Sequence, residues 1–114
     1  MTVKELSEKL GYKIITETGD STTTEITGVY ACDLLSHAMA KINTGDVWVT
    51  VHTNLNVVAV ASLTEASCVV IPENIQIEEQ TIERAEKKGV IFLSAPVSAA
   101  RVCYDVLSVL REAK

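Results

Sequence analysis

Residues 26–63 read ITGVYACDLLSHAMAKINTGDVWVTVHTNLNVVAVASL, and the order of patterns in this stretch decides the fold class. Ile26 to Ala31 is rich in β-formers and predicts a strand. A helix is expected over Leu34 to Lys41, with Asp33 placed to cap it. Asn43-Thr44-Gly45-Asp46 reads as a turn, and Val47 to Val51 as a second strand. Asn54 then precedes a helix whose Leu55, Val58, Ala59 and Leu63 share one face. Val57 and Val60 add a second apolar stripe, so this helix is expected to be buried on most sides.

The same order continues outward. Cys68 to Ile71 is a short apolar strand closed by Pro72. Glu78 to Lys88 is an amphipathic helix ended by Gly89, with acids early and lysines late, as the helix dipole prefers. Val90 to Leu93 predicts the last strand. Pro96 to Leu110 predicts the last helix, with proline in its first turn and an apolar face of Val97, Ala100, Val102, Val106, Leu107 and Leu110. Strand then helix, four times over, predicts parallel strands joined by right-handed helical crossovers.

Upstream, Thr2 to Leu10 predicts a helix that opens on a Thr2/Glu5 capping box and stops at Gly11. Tyr12 to Thr16 predicts a strand, and Thr18 to Glu25 a polar loop expected to be the most mobile internal segment. The expected architecture is thus a single compact α/β domain over residues 1–114, with a mostly parallel sheet and helices packed on it. Residues 1–25 supply the N-terminal helix, strand and loop, and residues 26–110 the repeated strand–helix units.

Composition narrows the function classes. Apolar residues make up 47% of 114 residues, enough for a core without metal or disulfide support. Aromatics are only 4%, so Val, Ile, Leu and Ala must fill that core. The net charge is −5, and basic residues stand beside acids, as in Glu83, Arg84, Glu86, Lys87 and Lys88. No basic face for nucleic acid is visible, although a local site for one phosphate is compatible with this pattern. Cys32, Cys68 and Cys103 lack zinc spacing and read as reduced, mostly buried thiols. The longest apolar run, Val57 to Ala61, is too short to span a membrane, and Met1 to Leu10 is no signal peptide. The cytoplasm is the expected location, with no cofactor and no metal.

Open parallel sheets gather ligands at the carboxyl ends of their strands. The sequence places Cys32, Asp33, Ser36 and His37 after one strand, and Thr50, His52, Thr53, Asn54 and Asn56 after the next. The ligand-binding candidates are Asp33, Ser36, Thr50, His52, Asn54 and Asn56. A helix start can hold a phosphate or carboxylate, and Thr53, Asn54 and Asn56 add neutral donors. The same asparagine can equally do no more than cap its helix. Asp33 has the same two readings, cap or ligand for a ribose hydroxyl or cation. The loops GxxxxGK[ST], GxGxxG and GxSxG and the HExxH helix are all absent.

Two segments, Gly28-Val29-Tyr30-Ala31-Cys32-Asp33-Leu34-Leu35-Ser36 and the run from Trp48 to Ala61, resemble the DRTGG domain family, over roughly Ile26 to Leu110. The likeness is to stand-alone members, which are similar to the N-terminal domain of HPr kinase/phosphorylase. It implies a self-associating α/β domain that regulates and does not catalyse. In multidomain relatives such domains accompany CBS pairs in regulated pyrophosphatases or precede phosphotransacetylase or kinase domains. Stand-alone members often accompany iron-hydrogenase genes. The signatures that name the family would fall near Pro72-Glu73-Asn74 and Leu93-Ser94-Ala95, and neither is kept. The family pattern would also place a histidine where Asn54 stands.

The expectation is a homodimeric regulatory domain, without catalysis, that senses a small anion or nucleotide at strand carboxyl ends. Two rivals stand beside it. One is a subunit that docks on a larger metabolic enzyme and has no ligand. The other is a small enzyme using Cys32, Asp33 and His52.

Overall fold

In the computed structural model, residues 1–17 and 20–113 are described. The helix α1 (Val3–Leu10) is followed by β1 (Lys13–Ile14). Four strand–helix units come next: β2 (Gly28–Ala31) and α2 (Leu35–Lys41), β3 (Asp46–Val49) and α3 (Leu55–Thr64), β4 (Cys68–Ile71) and α4 (Glu79–Lys88), β5 (Phe92–Ser94) and α5 (Ala99–Glu112). This is the α/β alternation expected from the sequence.

The five strands form one sheet in the order β1-β5-β4-β3-β2. β2 to β5 run parallel, and β1 pairs antiparallel with β5, Lys13 opposite Ser94. Each crossover moves one place across the sheet in the same direction. With right-handed connections this puts α2, α3 and α4 on one face, where α3 packs between α2 and α4. α1 and α5 cover the other face, α5 lying across β2 and β3.

The central strands are buried on both faces and so read as unbroken apolar runs. Val47, Val49, Cys68, Val70 and Leu93 face Leu6, Val102 and Val106. Trp48, Val69, Ile71 and Phe92 face Ala38, Val57, Val58, Val60, Ala61 and Ala85. Fully burying a Val or Leu side chain contributes roughly 1.5–3 kcal/mol, so these two layers hold the domain together. Trp48 is wholly buried, and its indole N–H donates to the Cys32 carbonyl at 2.9 Å.

The N-terminus folds as its capping box requires. The Thr2 hydroxyl accepts from the Glu5 amide, the Glu5 carboxylate accepts from the Thr2 amide, and Gly11 ends the helix at φ +72°. Beneath β2, Gly28 lies so close to the buried Asp46 that a Cβ there would stand 2.8 Å from its carboxylate. That carboxylate also accepts the Asn43 amide and closes the turn before β3.

Several boundaries differ from expectation. β1 covers two residues rather than five. Its pairing with β5 ends in a bond from the Phe92 amide to the Thr16 hydroxyl, where a side chain replaces the backbone ladder. α5 begins at Ala99, not Pro96, because the Ser98 hydroxyl takes the Arg101 amide and fixes the cap there. Ala100 and Leu107, expected on its apolar face, are exposed, and Val109 is buried instead. On α3 the buried face is Val57, Val58, Val60 and Ala61, while Leu55, Ala59 and Leu63 point outward. Both stripes of that helix are apolar, so periodicity could not say which one meets the sheet. Of the thiols, Cys68 is buried, but Cys32 and Cys103 are only half-buried. The loop expected from Thr18 starts with Thr18 and Gly19, which lie outside the described residues. Its remainder is built on Asp20, whose carbonyl accepts the Thr23 and Thr24 amides.

Candidate functional site

The junctions that follow β2 and β3 meet at the carboxyl edge of the sheet. Asp33 does not cap α2. The N-cap of that helix is Leu34, which makes no side-chain bond. The Asp33 carboxylate turns instead toward the neighbouring strand end and accepts the Thr50 hydroxyl at 2.8 Å and the Val51 amide at 3.0 Å. The Thr50 hydroxyl in turn accepts the His52 amide at 3.2 Å. Thr50 is buried, so these bonds satisfy a hydroxyl that would otherwise be stranded. Three of the six candidates, Asp33, Thr50 and His52, are therefore brought into one hydrogen-bonded cluster.

The other three stand apart from it. Asn54 caps α3, its side-chain oxygen accepting the Asn56 amide at 3.0 Å. Asn56 is exposed on the first turn of α3, and Ser36 is exposed on α2. Thr53 is tied down through its carbonyl, which accepts the Thr81 hydroxyl at 2.6 Å and so pins the start of α3 to α4. Among the described residues, the cavities with volumes of 190 to 630 Å³ that open on the surface here are lined by none of the six. A physical reason lies in the topology: crevices in open α/β sheets form where the strand order reverses, and β2 to β5 advance without reversal.

Of the groups proposed for thiol chemistry, Asp33 and His52 share the cluster, but the Cys32 thiol is not joined to it by a hydrogen bond. The Cys32 thiol makes a long contact of 3.7 Å to the Leu34 carbonyl, and among the described residues no hydrogen bond joins it to His37 or His52. Burial pushes the Cys68 thiol up to about 12, which suits a packing residue and not a nucleophile. Among the described residues no group of three or more His, Cys, Asp or Glu side chains is placed to hold a metal ion, and no helix is long and apolar enough to cross a membrane.

One feature escaped the sequence reading. Glu73 and Asn74 both adopt left-handed backbone, φ +57° and +53°, and the Ile75 amide closes their turn on the Pro72 carbonyl at 3.1 Å. The Glu73 and Asn74 amides bond the Val97 and Ala95 carbonyls, locking the ends of β4 and β5 together. Asparagine tolerates this backbone and glutamate does so less readily, so only Asn74 carried a signal. The bond from Asn74 to Ala95 thus joins the two segments, Pro72-Glu73-Asn74 and Leu93-Ser94-Ala95, where the family signatures would fall.

The sequence matches no protein-family model and no curated protein. Among solved structures it is similar to the crystal structure of the CBS and DRTGG domains of the regulatory region of Clostridium perfringens pyrophosphatase, complexed with its activator diadenosine tetraphosphate. The TM-score is 0.62 at 13% sequence identity, over 88% of this chain and 44% of that one. The chain thus spans less than half the length of this neighbour. The likeness is one of fold, and the domain is DRTGG-like in its architecture.

Proposed function

We propose that this chain is a non-catalytic regulatory domain that acts as a homodimer and senses a small anion or nucleotide at the carboxyl ends of β2 and β3. The observation that carries this reading is the Asp33–Thr50–His52 cluster, which joins two strand-to-helix junctions next to the capped start of α3. The cluster fixes the backbone. His52 and the exposed Asn56, whose side-chain amide is distinct from its capped backbone N–H, flank the α3 N-terminus in the chain, where unpaired N–H groups favour negative charge. Ser36 would add a hydroxyl from α2. The likeness to a nucleotide-activated regulatory region supports the same reading. No cofactor is expected, and the location we expect is the cytoplasm.

The test is a thermal-shift screen with inorganic phosphate, adenine mononucleotides and diadenosine tetraphosphate. A ligand at a hundredfold excess over its dissociation constant stabilises the fold by about 2.7 kcal/mol. That gain should vanish in His52→Ala and Asn56→Ala if the ligand sits where proposed. No shift with any of these compounds would overturn the sensing role.

A second reading, a subunit that docks on a metabolic enzyme, is favoured by the outer face of α3. Leu63 there is 72% exposed, and a groove of about 300 Å³ runs past Leu55 and Leu63 to Arg84 and Lys88. Under that reading no small molecule shifts the melting temperature, and Leu63→Asp abolishes association with the enzyme.

A further inference from the structure

We propose that the free edge of β2 is where two copies of this chain join, β2 against β2 in antiparallel fashion, so that one sheet runs through the dimer. The proposal rests on the homodimer reading above and supplies its surface.

The two edges of the sheet are unlike. β1 closes one side with only two residues, and its Lys13 is exposed. A short edge strand bearing lysine is a common device against further pairing. β2 closes the other side with four residues, Gly28-Val29-Tyr30-Ala31, and bonds only to β3. It carries no charge and no proline. In a parallel ladder, alternate residues bond opposite neighbours, so half of the β2 backbone groups face outward without a strand partner. Nothing on this strand discourages a second strand.

Self-pairing fits this edge better than a foreign strand does. In a two-fold interface each residue meets the same surface on its copy, so any charge on the strand would approach its like. The β2 edge has none to bring together. Strand pairing alone is marginal in water, and apolar flanks must support it. Exposed apolar side chains stand on both flanks, although Arg111 near the end of α5 lines the α5 side as well. On one face α2 is the outermost helix, and Leu34 and Met39 are 64% and 47% exposed. On the other, α5 lies across β2, and its Leu107 is 54% exposed. Leu107, Leu110 and Gly28 line a groove of about 630 Å³ beside the edge, open to side chains of the second copy.

Sedimentation velocity on the intact chain at micromolar concentration tests this, with Ala31→Lys on the exposed end of β2 and Leu107→Glu on its flank. Leu63→Glu, on the outward face of α3, serves as the control, and far-ultraviolet circular dichroism checks that each variant folds. The wild type should be a dimer. Each edge variant should raise the dimer dissociation constant about a hundredfold, as expected when like charges are forced together. Leu63→Glu should stay dimeric. The amides of β2 should exchange more slowly as protein concentration rises. A monomeric wild type would overturn the homodimer reading itself. A dimer that survives both edge variants and dissociates with Leu63→Glu would overturn the β2 edge while leaving the homodimer intact.

Discussion

Asp33 and Thr50, the residues that follow two neighbouring parallel strands, are joined by a 2.8 Å hydrogen bond from hydroxyl to carboxylate. The bond makes Asp33 a strut between the two junctions, while α2 starts without side-chain help.

Removing that strut should destabilise the domain. Asp33→Ala strands the buried Thr50 hydroxyl and frees the Val51 amide, at a cost of about 1–2 kcal/mol. Asp33→Asn keeps the accepting oxygen and should cost less. Urea unfolding of both variants measures the difference. Equal losses would mean that charge and not the hydrogen bond matters.

The α1 capping box gives a pH-dependent prediction. Bonds from the Thr2 backbone amide and hydroxyl hold the Glu5 carboxyl below its usual range. Glu5 therefore adds stability that is present above the unfolded pKa and is lost as the pH falls through the lower folded value. Thr2→Ala should cost about 1 kcal/mol near neutral pH. The gap between variant and wild type should narrow as acid protonates Glu5. Melting temperatures taken from neutral pH down through the carboxylate range check both parts.

Tyr12 acts at the alkaline end. Burial first, and then the Asp105 carboxylate 3.0 Å from its hydroxyl, push the phenol well above its usual range. Its contribution is complete below the unfolded pKa of about 10 and is lost as the pH rises beyond it. Tyr12→Phe should lose about 1 kcal/mol at neutral pH and lose less further stability than wild type in base. Parallel alkaline titrations would expose a mistaken sign.

Gly28→Ala probes the close approach under β2. Its new Cβ would meet the Asp46 carboxylate, which cannot retreat without releasing the Asn43 amide. A loss of about 1–3 kcal/mol is expected, the usual cost of overpacking. Calorimetry decides it, and an unchanged melting temperature would mean that Asp46 swings aside freely.

The thiols should separate kinetically. With its thiol pushed up by burial, Cys68 is almost wholly protonated near pH 8 and has almost no exposed surface to offer. Iodoacetamide should reach half-buried Cys32 and Cys103 first and modify Cys68 only after unfolding. Mass spectrometry of the timed reaction assigns the order.

Much of the fold was legible because local rules and tertiary demands agree here. Apolar runs such as Cys68 to Ile71, turn residues such as Gly89, and the Thr2/Glu5 box each carry one meaning. Where one pattern served two outcomes, legibility stopped. α3 is apolar on both sides, and only packing against the sheet chooses Val57 over Leu63 for the interior. Pro96 marks a helix start in general, yet Ser98 takes that role because its hydroxyl finds the Arg101 amide. That Asp33, Thr50 and His52 follow neighbouring strands was legible. Their wiring was not, because a carboxylate before a helix can cap it or reach sideways, and only the neighbouring strand end at Thr50 decides. The left-handed pair Glu73-Asn74 was hidden for the same reason: its bonds to Ala95 and Val97 depend on a strand not yet formed when that turn is read.

β1 pairs with the strand that lies farthest from it along the chain, Lys13 opposite Ser94, whereas every other ladder joins strands that follow each other in sequence. The domain can therefore grow one neighbour at a time from β2, as each crossover closes a short loop, but β1 must wait for β5. During synthesis β1 would dock only once β5, about eighty residues further along, has emerged. β1 would then act as a late latch, and replacements in the β1–β5 seam should speed unfolding more than they slow folding.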